Sequence, residues 1–158
     1  MLGFAGRSHM ADLGALCEKL QSLSLDLHAQ EKRDAWPRVQ LDQCAQAGVF
    51  AWHVGNQSSS KMSAQDLLRA TIQISSSCLT TAFVISQFVG AMKRVAGSRN
   101  ESLKDRVLEN MRNGTFRATL GISHLTTSRR HLSNPVLRVR KSGRTYILNG
   151  FTPWVTGG

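Results

Sequence analysis

The stretch Ser102–Ser123, SLKDRVLENMRNGTFRATLGIS, decides the fold, because its apolar residues change period half-way along. Before Asn113-Gly114, Leu103, Val107, Leu108 and Met111 recur at helical steps of three and four. After it, Phe116, Leu120 and Ile122 stand among Thr, Gly and Ala in the pattern of a short strand, and no helical stripe returns. Asn-Gly is a helix stop, since both residues tolerate the left-handed conformation in which helices commonly end. The chain therefore divides here into helices first and strands second. Blocks of that kind predict an α+β chain, not an alternating α/β one.

Working back toward the N-terminus, every apolar pattern is helical. Leu13, Leu16, Cys17, Leu20, Leu23 and Leu27 form one stripe and predict a helix from about Ala11 to Ala29. Trp36-Pro37 restarts the chain, and Val39, Leu41, Cys44 and Ala45 follow in a short helix that Gly48 can close. Gly55–Ser60 is a polar loop. Ser63, with Asp66 three residues on, is an N-cap for the helix carrying Leu67, Leu68, Thr71 and Ile72. From about Cys78 to Val95 the chain is apolar on most sides, which predicts a central helix of the bundle. That run is too short, and too interrupted by Ser86 and Gln87, for a membrane span.

Working forward, strands are expected from Thr115 to Ser123 and across Pro135–Lys141 and Arg144–Leu148, the last two joined by a turn at Ser142-Gly143. Asn149-Gly150 reads as a further turn, and Trp154-Val155-Thr156 as the opening of another strand. The expected domains are thus residues 1–114, an all-α bundle, and residues 115–158, the first strands of an incomplete antiparallel β-domain. A sheet begun with a few strands leaves an edge and an apolar face uncovered, so the expectation is a chain that stops before its fold is complete.

The 158 residues carry a net charge of +10. Glu109 is the last acidic residue, while eight cations follow it, from Arg112 to Arg144. Such a surplus attracts nucleic acid, membrane phosphates or a phosphate-bearing cofactor. The cations lie on strands and loops with neither a recognition helix nor an RNA-binding aromatic pattern, which argues against nucleic acid. Cys17, Cys44 and Cys78 are odd in number, far apart and set in apolar patterns, as suits reduced thiols in a cytoplasm. His124 and His131 have no carboxylate or cysteine nearby in sequence, so no metal is expected.

Three segments carry a family resemblance in the right order: QLDQCAQAGVFAWHV (40–54), SLKDRVLENMRNGTFRATLGIS (102–123) and YILNGFTPWVTGG (146–158). The chain resembles the N-terminal helical domain and the start of the middle β-domain of the acyl-CoA dehydrogenase superfamily. That resemblance implies FAD as cofactor, with Trp154 beside the isoalloxazine ring and Thr156 hydrogen-bonding its N5 side. The family's Thr-Glu-Pro segment with its following Gly-Ser-Asp is replaced here by Ser123-His124-Leu125, so Ser123 becomes the candidate for the pyrimidine side and Leu125 a further cofactor-binding candidate. The departure leaves the usual acyl-CoA substrate and the pyrophosphate contact open, and Arg129 and Arg130 are candidates for a phosphate.

The implied chemistry is removal of an α proton from an acyl thioester by a glutamate while the β hydride passes to the flavin. The family's glutamate comes from a C-terminal helical domain, so no catalytic residue is assigned in this chain. The implied partners are an acyl-CoA or related substrate and, in a complete enzyme, further copies of the chain, with neither a membrane nor a nucleic acid. The chain by itself is expected to be catalytically silent and to hold FAD weakly or not at all. A flavin monooxygenase of the same fold, a basic binding protein and a non-enzymatic relic of the fold are the alternatives.

Overall fold

The computed structural model describes residues 13–24, 36–55, 62–122 and 136–157. The fold is α+β and mostly helical: among the described residues there are five α-helices, a 3-10 turn and one two-stranded antiparallel sheet. The chain separates into two compact units, Met1–Ala118 and Thr119–Gly158.

In the helical unit, α1 covers 13–24, and its Leu13, Leu16 and Leu20 are buried at the spacing of one helix face. Helix α2 (Arg38–Gln46) buries Gln40, Leu41 and Cys44. The Gln40 side chain donates to the Leu23 carbonyl at 3.1 Å, which satisfies a buried amide and serves the end of α1. Gly48 follows α2 at φ +73, the left-handed closure its position suggests, and leads into a 3-10 turn at Ala51–His53.

Helix α3 (Ala64–Ser77) begins as its sequence predicts: the Ser63 side chain accepts from the Asp66 backbone N–H at 3.1 Å. Helix α4 (Leu79–Ala96) buries Thr81, Val84, Ile85, Phe88, Val89, Ala91 and Met92 and packs against α2, α3 and α5 (Glu101–Arg112). It is the helix the others share, although Leu79 and Phe83 on its outer side stay exposed. The Phe88 ring meets Phe50 edge to face at 4.7 Å, joining α4 to the turn after α2. Helix α5 starts on an Asn100 cap, whose side chain accepts from the Leu103 N–H at 3.0 Å. It ends at Gly114, φ +76, where an added Cβ would lie 2.6 Å from the Ala45 Cβ and 2.9 Å from the Phe50 ring. Gly114 thus both follows the end of α5 in the left-handed conformation and packs tightly against Ala45 and Phe50.

In the second unit, β1 (Leu137–Ser142) and β2 (Thr145–Gly150) pair with Val139 opposite Leu148 and Lys141 opposite Tyr146. Gly143, at φ +58, lies in the connecting turn. Three expectations are corrected here. Residues 115–122 contain no strand, and neither do Trp154, Val155 and Thr156. Extended propensity becomes a strand only when backbone groups find a ladder. What links these segments is instead a side chain, the Thr119 hydroxyl donating to the Thr156 carbonyl at 2.7 Å. Asn149-Gly150 is also not a turn but the last rungs of β2. Gly150 sits against the Val136 carbonyl, which accepts from the Phe151 N–H at 3.2 Å. A Cβ there would collide with that oxygen.

Candidate functional site

Of the four residues that the resemblance assigns to flavin, Ser123 and Leu125 lie outside the described residues, as do His124, Arg129, Arg130 and His131. Trp154 and Thr156 are described, and both follow β2 in the second unit. Trp154 has φ +58, the left-handed region, which costs an L-residue with a side chain about 1–2 kcal/mol. Its indole is 87% exposed. Thr156 is half-buried, and its carbonyl is already occupied by Thr119. Around them Gly121 approaches Thr152 and Val155, each with a methyl 3.3 Å from where a Cβ would stand. The segment at 119–121 therefore lies beside 152–156, which brings the residue stretch before Ser123 to the Trp154-x-Thr156 segment.

A flavin asks for a flat apolar wall and a small polar group at the reacting edge. Trp154 offers an uncovered indole face, and Thr156 lies two residues away in the same short segment. With so little protein around the indole, the described residues fit a single wall and do not enclose a ring.

The described residues of the helical unit include two hollows that bear on function. One, lined by Val49, Trp52, Leu67, Ala70, Ile74 and Ile85 among others, has a volume of about 20 Å³. That is room for about one water and no organic ligand. The other is an open polar hollow of about 580 Å³ between α2 and the chain after α5, lined by Arg38, Asp42, Gln46, Asn113, Thr115 and Arg117. Its feature is the ion pair of Arg117 with Asp42. The Arg117 Nε is buried without a hydrogen-bond partner among the described residues. Sequence reasoning did not find this pair, since the partners are 75 residues apart and neither belongs to a motif.

The three cysteines are free thiols, with Cys44 and Cys78 buried. Burial pushes the Cys44 thiol up from 9.0 to about 12, helped by Cys78 and Cys17 nearby and opposed by Arg117. The Cys78 Sγ and Thr81 Oγ1 share a buried hydrogen bond of 3.1 Å. The Cys44 thiol, kept protonated by burial, is a poor nucleophile. Among the described residues no group of three His, Cys, Asp or Glu is arranged to hold a metal, and no helix is long and apolar enough to cross a membrane.

Comparison of the chain with protein-family models, with curated proteins and with solved structures found no match.

Proposed function

We propose that the chain belongs to a FAD-dependent oxidoreductase of acyl-CoA dehydrogenase type, acting on the CH-CH group of acyl-CoA thioesters in the cytoplasm. On this reading residues 1–114 are its helical domain and residues 115–158 the start of its flavin-binding β-domain. The observation that carries the reading is the order of parts around one segment. A helical unit precedes a β-hairpin, and the hairpin's second strand runs directly into Trp154-Val155-Thr156. The uncovered indole of Trp154, held on a backbone that costs energy to keep, is consistent with a residue kept for contact with something flat.

In this reading Trp154 would lie beside the isoalloxazine ring, and Thr156 would hydrogen-bond its N5 side. Ser123 would serve the pyrimidine side, with Leu125 a further cofactor-binding residue. FAD supplies the hydride acceptor when bound. The chain's own residues bind and orient; the base that removes the α proton is not among them.

The reading is tested by titrating FAD into the isotopically labelled chain and following amide and indole resonances. Weak binding is expected, in fast exchange, with shifts gathered at Trp154, Thr156 and their neighbours and absent from the helical unit. Shifts confined to the helical unit, or shifts at Trp154 that persist unchanged with adenosine monophosphate in place of FAD, would count against a flavin wall. If flavin binds, acyl-CoA-dependent bleaching in a reconstituted enzyme separates a dehydrogenase from a monooxygenase.

A further inference from the structure

The hairpin has two unlike faces. Side chains alternate along a strand, and the pairing register puts Leu137, Val139 and Lys141 on the same side as Leu148 and Tyr146. Arg138, Arg140 and Ile147 point the other way. On the first side Val139 is 60%, Leu148 63% and Tyr146 64% exposed, an apolar face open to solvent at the centre of a two-stranded sheet. Phe151, just beyond β2, is exposed as well. Contiguous exposed apolar surface rimmed by polar groups marks an interaction site.

The charge around that face narrows what can cover it. From residue 110 onward the sequence holds no acidic residue, and this hairpin carries Arg138, Arg140, Lys141 and Arg144. A second copy of the chain would bring cations against cations. A nucleic-acid strand would satisfy the charge, but it binds by stacking on aromatic rings, and Val139 and Leu148 at the centre of the face are aliphatic. An anionic lipid surface satisfies both features. Aliphatic side chains enter the acyl boundary, while a tyrosine sits at the headgroup level. Lys141 at the end of the face and Arg144 in the turn reach the phosphates, with Arg138 and Arg140 on the far side still about one Debye length away.

We propose that the β1–β2 hairpin is a peripheral docking surface for anionic lipid membranes, applied through Val139, Tyr146 and Leu148 and held by Lys141 and Arg144. The absence of a spanning helix among the described residues excludes only a helical crossing by them. The proposal uses neither Trp154 nor Thr156, but it requires the β1–β2 face to stay open, whereas a completed β-domain of the flavin reading would cover that face.

The test is co-sedimentation of the purified chain with vesicles of phosphatidylcholine alone and of phosphatidylcholine mixed with phosphatidylserine. Binding is expected to the mixed vesicles only, and to weaken as salt is raised. Each cation at the surface contributes about fivefold, so Lys141→Gln with Arg144→Gln should lower affinity about twenty-fivefold. Val139→Ser with Leu148→Ser, which leaves every charge in place, should abolish detectable binding. Far-ultraviolet circular dichroism checks that both variants keep the helical unit. Equal binding to neutral vesicles, no binding to either kind, or variants that bind like the parent would each overturn the proposal. So would a chain that ignores both vesicles and captures single-stranded RNA, or that self-associates instead.

Discussion

The two units spend their apolar residues in opposite ways. In the helical unit Phe50, Phe88, Leu13, Leu20, Leu41, Met92 and Met111 are fully enclosed, and each helix has a buried face and a solvated one. In the hairpin unit every residue of β2 is exposed, and β1 covers only Leu137 in part. Helix α4 can be covered by three neighbours because helices α2, α3 and α5 are all close in sequence. Among the described residues no further strand joins this two-stranded sheet, and an isolated hairpin is marginal in water. The lesson is that the buried apolar core of the described residues lies in the first unit, while the second leaves its strands open.

That contrast can be broken most sharply at Phe50. Phe50→Ala removes a fully buried ring and its edge-to-face partner at Phe88, and should cost about 3–5 kcal/mol, read as a large fall in the denaturation midpoint followed by helical circular dichroism. A loss below about 1 kcal/mol would mean that the core is not organised around this pair.

Next comes an effect confined to alkali. The folded Cys44 thiol, held at about 12 against an ordinary 9.0, keeps its proton where the unfolded chain loses it. The contribution is therefore fully present below pH 9 and is lost as pH rises toward 12. Stability should fall across that window, and Cys44→Val should flatten the fall. An alkylating reagent at pH 9 should leave Cys44 unmodified in the native protein.

Gly114→Ala is expected to cost about 2 kcal/mol, from the positive φ together with crowding against Ala45 and Phe50. Asn100→Ala should cost about 1 kcal/mol through the lost cap on Leu103. The smallest effect sharpens the comparison from the other side. Tyr146→Thr, in the exposed strand β2, should move the midpoint of the helical transition by less than about 0.5 kcal/mol. A larger shift would show that the two units fold as one.

What the sequence made legible was local. Ser63 with Asp66, Gly48 and Asn113-Gly114 mark helix ends by their own chemistry, and all three act where they stand. Asn100 was missed although its cap is as good as that of Ser63, because no acid follows three residues on. Strands were harder, since a strand is a relation to a partner. Thr115–Ile122 and Trp154–Thr156 have the composition without the ladder, and Gly150 serves a close approach where a turn was expected. For the candidate site, the indole of Trp154 was legible as a residue, but not its left-handed backbone, which no neighbouring residue type announces.

The ion pair of Asp42 with Arg117 has a consequence for how the helical unit comes into being. It joins α2 to a point past the end of α5, 75 positions along the chain. On an emerging chain, Asp42 waits for its partner through the making of three further helices, and the pair can close only when Arg117 appears. A fragment ending at Gly114 would contain all five helices and their buried core but lack this part-exposed pair, a loss of about 1 kcal/mol at most.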